Sequence, residues 1–238
     1  MLNVSDLNAW QGRSQVLHGV SLDVAAGEIV CLLGRNGAGR SSTLQAIMGQ
    51  LRAEGAIHYQ GEQLLGLKPF EIARRGLAYV PEARSVFADL SVEDNLLLGA
   101  PVGRRAQRWG VADMYELFEA LGRRRQVAAG LLSGGEQQML SLCRALMGNP
   151  DLMLVDEPTE GLAPAMVERI SAFLQHLRGL GMAVLLVEQK LDMALDISDR
   201  VVLLGHGRVV HAGTPQTLRA QAGLMREWLM VPEWPGPV

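Results

Sequence analysis

The residue pattern predicts an α/β protein with a mainly parallel central sheet, antiparallel strands at its N-terminal end and an inserted α-helical subdomain. Three observations carry this. Three near-continuous apolar runs, Glu28–Leu33 (EIVCLL), Asp151–Val155 (DLMLV) and Met182–Val187 (MAVLLV), read as strands covered on both faces. Helical patterns separate them, the order expected of a parallel sheet. Glycine-bearing or acidic junctions follow their C-terminal ends, where such sheets bind ligands.

The elements follow in order. Leu2–Leu7 reads as an edge strand, and Val16–Val24 alternates with the period of a half-buried strand. Ala26-Gly27 turns the chain into the first buried strand. GRNGAGRS follows, then a helical run from Ser41 to Met48. Residues 55–59 and 77–80 read as short strands, with a short helix between them that has Pro69 in its first turn. Ser91–Leu121 is mostly helical, with breaks near Pro101 and Gly110; a helical subdomain spanning about residues 83–148 is expected within one domain covering residues 1–238. Ser133-Gly134-Gly135 opens a strongly periodic helix. Met166–Leu177 carries Val167, Ile170, Phe173, Leu174 and Leu177 on one side. Val201–Leu204 and Arg208–His211 read as further strands, and the proline-rich tail VPEWPGPV as irregular.

Composition narrows the function classes. Of 238 residues, 48% are hydrophobic and 20% charged, the make-up of an ordered globular chain. A net charge of -3 argues against a protein whose work is wrapping nucleic acid, which needs clustered cations. The arginine clusters Arg74-Arg75, Arg104-Arg105-Arg108 and Arg123-Arg124-Arg125 have few aromatics beside them and read as solvated faces or protein contacts. Cys31 and Cys143 sit in apolar stretches, as free buried thiols do. No signal-peptide pattern or membrane-spanning run is present, so a cytosolic chain that meets a membrane through partners is expected.

Two junctions carry chemistry. Gly34–Ser41 has the strand, glycine loop and helix order of a phosphate-binding loop. Its glycines would let backbone N–H groups face an anion at the positive end of the following helix, and Ser41 would reach Mg²⁺. A glycine turn with no ligand satisfies the same residues, so this loop alone leaves both readings open. The run LMLVDE ends a buried strand in Asp156 and Glu157. An Asp there helps hold Mg²⁺ in phosphate-loop proteins, and an adjacent Glu can orient or deprotonate a water. Solvated acids at an ordinary strand end are the plainer reading.

LSGGE (Leu132–Glu136), followed by QQMLSLCRALMGNPDLMLVDEPT, resembles the signature helix and acidic strand of ABC transporter ATPases, whose phosphate loop is similar to Gly34–Ser41. The resemblance covers nearly the whole chain and implies a P-loop NTPase core. YVPEARSVFADLSVEDNLLLGA, DEPTEGLAP and LLVEQK look most like the high-affinity branched-chain amino acid importers of the Liv type. These carry Glu and Gln where Glu82 and Gln189 stand.

The resemblance implies ATP and Mg²⁺ as ligands. Gly34, Asn36, Gly37, Ala38, Gly39, Arg40, Ser41 and Ser42 would hold the phosphates. Ser41, Glu82 and Asp156 would serve the metal, with Glu82 also reporting to the membrane subunit. Glu157 would be the general base, Gln189 the switch residue, and Glu160–Ala163 a dimer-facing loop. Ser133, Gly134 and Gly135 would contact nucleotide on the opposite subunit. It also implies a second ABC ATPase subunit, two membrane permeases and, indirectly, an extracytoplasmic solute-binding protein, with the chain peripheral on the cytoplasmic face of the bacterial inner membrane. Glu82 to about Leu121 would be the docking face.

Two positions depart from the family pattern. Arg40 replaces the loop lysine, and a planar guanidinium is longer and bulkier than an ammonium. Slow hydrolysis at this loop is therefore expected. The aromatic of the family's adenine-stacking pair is replaced in Gln11-Gly12. Trp10, one residue away, either stacks on the base or serves as an ordinary core or surface Trp. A non-catalytic, regulatory or structural subunit, which binds nucleotide or merely completes a partner's site, is the rival reading.

Overall fold

A computed structural model describes residues 1–101 and 108–229; the Arg104-Arg105 cluster and the proline-rich tail lie outside the described residues. Strands β1 (Leu2–Gln11) and β2 (Ser14–Val24) form an antiparallel hairpin. β3 (Ile29–Leu33) leads through the glycine loop into α1 (Arg40–Ile47). β4 (Arg52–Tyr59) and β5 (Glu62–Gln63) follow, then α2 (Pro69–Arg74) and β6 (Leu77–Val80). The helices α3 (Val92–Leu97), α4 (Val111–Leu117), α5 (Glu119–Arg123) and α6 (Gly134–Met147) all fall between β6 and β7 (Leu152–Asp156). The chain continues through α7 (Pro164–Gly179), β8 (Ala183–Val187), α8 (Leu191–Ile197), β9 (Arg200–Gly205) and β10 (Arg208–Gly213) to α9 (Pro215–Arg219) and α10 (Ala222–Leu229).

Two sheets result. The smaller runs β2-β1-β4-β5 and is antiparallel; the larger runs β10-β9-β3-β8-β7-β6. Within the larger sheet β9, β3, β8, β7 and β6 are parallel, and only β10 is antiparallel, at one edge. The apolar runs sit centrally because both their faces are covered. Ile29, Cys31 and Leu33 of β3 pack into a core shared with α6 and α7, while Val30 and Leu32 pack against α1 and the small sheet. A strand that alternates between two cores has no polar face, hence the unbroken hydrophobicity.

The helical insert is less regular than the sequence periodicity suggests. Among the described residues, the region from Ser91 to Arg123 contains three short helices, with α4 and α5 separated by a break at Phe118 (φ -137°, ψ 82°). Phe118 instead packs its ring 5.1 Å from Phe173 of α7, so tertiary contact overrides local helix propensity. The first hairpin is longer than its apolar pattern, since exposed Gln11, Ser14 and Gln15 complete the ladder. Both cysteines are free and buried. Among the described residues no helix is long and apolar enough to cross a membrane.

Candidate functional site

β3 delivers the glycine loop to the C-terminal edge of the large sheet. Gly34 has φ 148°, and a Cβ there would lie 2.5 Å from the Leu204 carbonyl oxygen, so no side chain fits. Gly39 caps α1 at φ 100° with no side-chain hydrogen bond, and the first turn of α1 holds no acid. The amides at this helix end thus have no side-chain cap and no nearby acid of their own helix, an arrangement compatible with an anion.

β7 and β8, which follow β3 in the sheet order, end at the same edge. Ser41 Oγ donates to Asp156 Oδ1 at 2.9 Å. Tyr79 of β6 donates to the other Asp156 oxygen at 3.3 Å. A hydroxyl beside a carboxylate is a set of hard oxygen donors, which suits Mg²⁺. Burial pushes the Asp156 carboxyl above its usual range, with the hydrogen bonds from Ser41 and Tyr79 and the Arg40 charge opposing it.

Glu157 follows in the left-handed region, at φ 45°, an uncommon conformation for a side-chain-bearing residue. Its side chain is 7% exposed and meets Arg40, which is 5% exposed. Arg40 Nη2 donates to Glu157 Oε1 at 2.7 Å and to Asn36 Oδ1 at 3.1 Å, while Nη1 donates to the Glu188 carbonyl oxygen at 3.0 Å. Gln189 Nε2 donates to the remaining Glu157 oxygen. Burial raises the Glu157 carboxyl pKa; the Arg40 charge and the Gln189 hydrogen bond pull the other way without cancelling it.

Part of this cluster lines an open polar cavity of about 250 Å³. Asn36, Gly37, Gly39, Arg40, Ser41 and Ser42 line it from the loop side, and Glu82, Glu157, Glu160 and Gln189 from the other. The carboxylates of Glu82, Glu157 and Glu160 offer oxygens within 4.8 Å of one another. A hydrogen bond with Glu160 is the main cause of an upward shift at Glu82, helped by burial and by the nearby acids. A second cavity, about 400 Å³, lies beyond the loop between Arg35–Ala38 and Trp228 of α10.

Trp10 lines neither cavity. It lies on β1 opposite Gln15 and Arg52, with the Arg52 guanidinium 4.9 Å from its ring centroid.

Ser133, Gly134 and Gly135 lie apart from this cluster, at the N-terminus of α6. Ser133 Oγ accepts from the Glu136 amide at 3.3 Å, and Glu136 Oε2 accepts from the Ser133 amide at 2.8 Å, a reciprocal cap. Gly134 lies under the Arg84 guanidinium and Gly135 against Met166. A larger cavity of about 800 Å³ opens beside Ser133 between α5, α6 and α7.

The residue-by-residue reading missed Glu188 and Tyr79. Glu188 is 2% exposed; it accepts from the Thr159 hydroxyl at 2.6 Å and from the amides of Gln189 and Lys190 at 2.9 and 3.0 Å. It ties the end of β8 to the turn after β7. The signal was present: like Asp156, it is an acid ending a buried strand. Tyr79 gave no such signal, because its role depends on the pairing of β6 with β7.

A mainly parallel sheet whose first buried strand feeds a glycine loop and helix, beside an acid-tipped strand, defines a P-loop nucleotide-binding ATPase fold. Comparison with protein-family models matches residues 17–160 to the family described as ABC transporter. The chain belongs to that family, as an ATP-binding subunit. It is 43% identical over 220 residues to the high-affinity branched-chain amino acid transport ATP-binding protein BraG of Pseudomonas aeruginosa, covering 92% of this chain and 94% of that one. It is 33% identical over 226 residues to the lipopolysaccharide export system ATP-binding protein LptB of Escherichia coli, covering 93% of each. A solved structure described as the ATP binding subunit of an ABC transporter matches with TM-score 0.82 and 31% identity over 94% of each chain.

Proposed function

We propose that this ABC ATPase powers import of branched-chain amino acids or related small polar solutes. It would act at the cytoplasmic face of a bacterial inner membrane, paired with a second ABC ATPase and two permeases that receive solute from a binding protein. The observation that carries the nucleotide chemistry is the convergence of the glycine loop, Ser41 and Glu157 on one small polar cavity, with Asp156 hydrogen-bonded to Ser41. The importer reading is supported by the likeness to BraG, which is higher than that to LptB.

In this reading the amides of residues 34–42 hold the phosphates, with Ser41 and Asp156 as the donors for Mg²⁺ and Glu82 beside them. When bound, Mg²⁺ neutralises charge on the phosphates. Glu157, its pKa raised by burial, is suited to take a proton from the attacking water. Gln189 orients Glu157. Ser133–Gly135 present the end of α6 to nucleotide held by the opposite subunit.

The groove between α2, α3 and α6 is the proposed permease dock. It has a volume of about 580 Å³ and includes Phe70, Phe87 and Leu98, which are 53%, 52% and 58% exposed. Exposed apolar groups gathered at one groove are what a partner covers.

A second reading, nucleotide binding without turnover, draws on the Arg40–Glu157 pair. ATP binding and hydrolysis by the complex with its partner subunits separate the two. Under the first reading Glu157→Gln keeps ATP binding and lowers turnover roughly 100- to 10,000-fold. Binding with equal, negligible turnover in both chains would favour the second; no binding would defeat both. Uptake of labelled leucine into vesicles carrying the whole transporter tests the solute.

A further inference from the structure

We infer that Glu188 is a positioning residue for the reaction. Its buried carboxylate holds the base Glu157 and the switch residue Gln189 in register at the ends of β7 and β8. This deepens the proposed function and rests on it, since it takes Glu157 as the base and Gln189 as the residue that orients it.

Glu188 directly follows β8 and is 2% exposed. Among the described residues no Lys or Arg forms an ion pair with it. A carboxylate so buried must be met by hydrogen bonds. Oε1 accepts from the Thr159 hydroxyl at 2.6 Å and from the Thr159 amide at 3.2 Å. Oε2 accepts from the amides of Gln189 and Lys190 at 2.9 and 3.0 Å. The two oxygens of a carboxylate offer about four acceptor sites, and here all are taken. A glutamine would keep an acceptor at only one end and turn an NH₂ group toward donors at the other.

The two ends of this carboxylate hold different parts of the site. Thr159 lies two residues past Glu157, in the turn that keeps Glu157 at φ 45°. The Glu157 amide donates to the Val187 carbonyl oxygen at 2.9 Å, so the turn is fastened to β8 on both sides of Pro158. Lys190 Nζ closes the ring by donating to the Thr159 carbonyl oxygen at 3.0 Å. The other end fixes the backbone of Gln189, whose side chain donates to Glu157. One buried group thus sets the backbone on both sides of the Gln189–Glu157 hydrogen bond. A left-handed residue with a side chain persists where its surroundings over-determine it, and these bonds do so. Glu188 does not line the small polar cavity, so it acts through Glu157 and Gln189 and not on the ligand.

The test measures ATP turnover by the complex with its partner subunits, carrying wild type, Glu188→Gln, Glu157→Gln or both changes. Glu188→Gln should lower kcat about 30-fold and change KM for ATP less than about threefold. In the Glu157→Gln background no base is left to place, and single-turnover rates should change less than about threefold. An equal loss in both backgrounds, an unchanged kcat, or a raised KM with kcat intact would overturn the inference. Thr159→Val and Thr159→Ser cover the case in which Glu188→Gln does not fold. The valine removes only the hydroxyl and should lower kcat about fivefold, the equivalent of one net hydrogen bond. The serine restores the hydroxyl and should return kcat to within about twofold of wild type. A valine variant as fast as wild type, or a serine variant as slow as the valine one, would also overturn it. If Glu157→Gln alone turns over ATP like wild type, the base assignment falls and the role of Glu188 with it.

Discussion

The N-termini of α1 and α6 are both proposed to face phosphate, yet they are built in opposite ways. The α1 end has a glycine cap in the left-handed region, no side-chain cap and no acid in its first turn. The α6 end is closed on itself by Ser133 and Glu136. At α1 the Arg40–Glu157 pair is buried and spans two elements; around α6 Ser133 and Arg84 are exposed. The difference separates stability from function. The α6 end is complete as a helix before any ligand arrives, and the cap engages the amides of Ser133 and Glu136 but not those of Gly134 and Gly135. The α1 end has no such side-chain cap and opens on a small polar cavity.

The sharpest way to break this contrast is to place a carboxylate at the α6 end. Gly134 has helical backbone, and an added Cβ would meet only the far end of the flexible Arg84 side chain, 2.3 Å from Nη1. Gly134→Asp should leave the isolated chain as stable as wild type or slightly more so, because acids are favourable at helix N-termini. Its nucleotide affinity should stay within about twofold, since the cavity at α1 is untouched. The assembled complex should lose turnover by about 100-fold, as a negative charge then faces the nucleotide of the opposite subunit. Loss of ATP binding by the isolated chain would show that the two helix ends are not separate sites.

How much of this was legible beforehand follows the same division. The buried strands, the glycine loop and the cap of α6 are local, and local patterns announce them: EIVCLL, GRNGAGRS and SGGE each state their own environment. Ser41 and Asp156 were readable as separate motifs, and the fold supplies only the 2.9 Å between them. What was not legible depends on which strand ends lie together. β3, β8 and β7 are adjacent in the sheet though 117 residues separate Arg40 from Glu157 in sequence. That adjacency brings Arg40 of the glycine loop onto Glu157. The break at Gly110 was legible, but the one at Phe118 escaped for a related reason, since Phe118 packs against the distant Phe173 in a run that is helical by propensity.

A smaller perturbation sharpens the claim that α6 caps itself. Ser133→Ala removes the hydroxyl that accepts from the Glu136 amide. The loss should be about 1 kcal/mol, the usual worth of such a cap, lowering Tm by about 2–4 °C for a chain of this size. Thermal unfolding of the isolated chain measures it. An unchanged Tm would mean that α6 is held by its packing alone.

The smallest effect concerns charge, and its sign differs between the two ends. At α1, burial raises the Glu157 pKa. At α6 the Glu136 pKa is lowered: burial pushes it up, but the Ser133 amide and hydroxyl and the Arg124 charge together outweigh it. A carboxyl with a lowered folded pKa adds stability above its unfolded value, and that stability is lost as pH falls through the folded value. Glu136→Gln retains an oxygen for the Ser133 amide and removes only the charge. It should therefore cost about 0.5 kcal/mol near pH 7, or about 1–2 °C in Tm, from the lost interaction with the helix end. As pH falls through the folded value and the wild-type carboxyl becomes protonated, the difference between the two chains should vanish. A Tm difference that stays constant across this range would assign the effect to packing of the glutamine rather than to the carboxylate, and the electrostatic half of the contrast between α1 and α6 would fail.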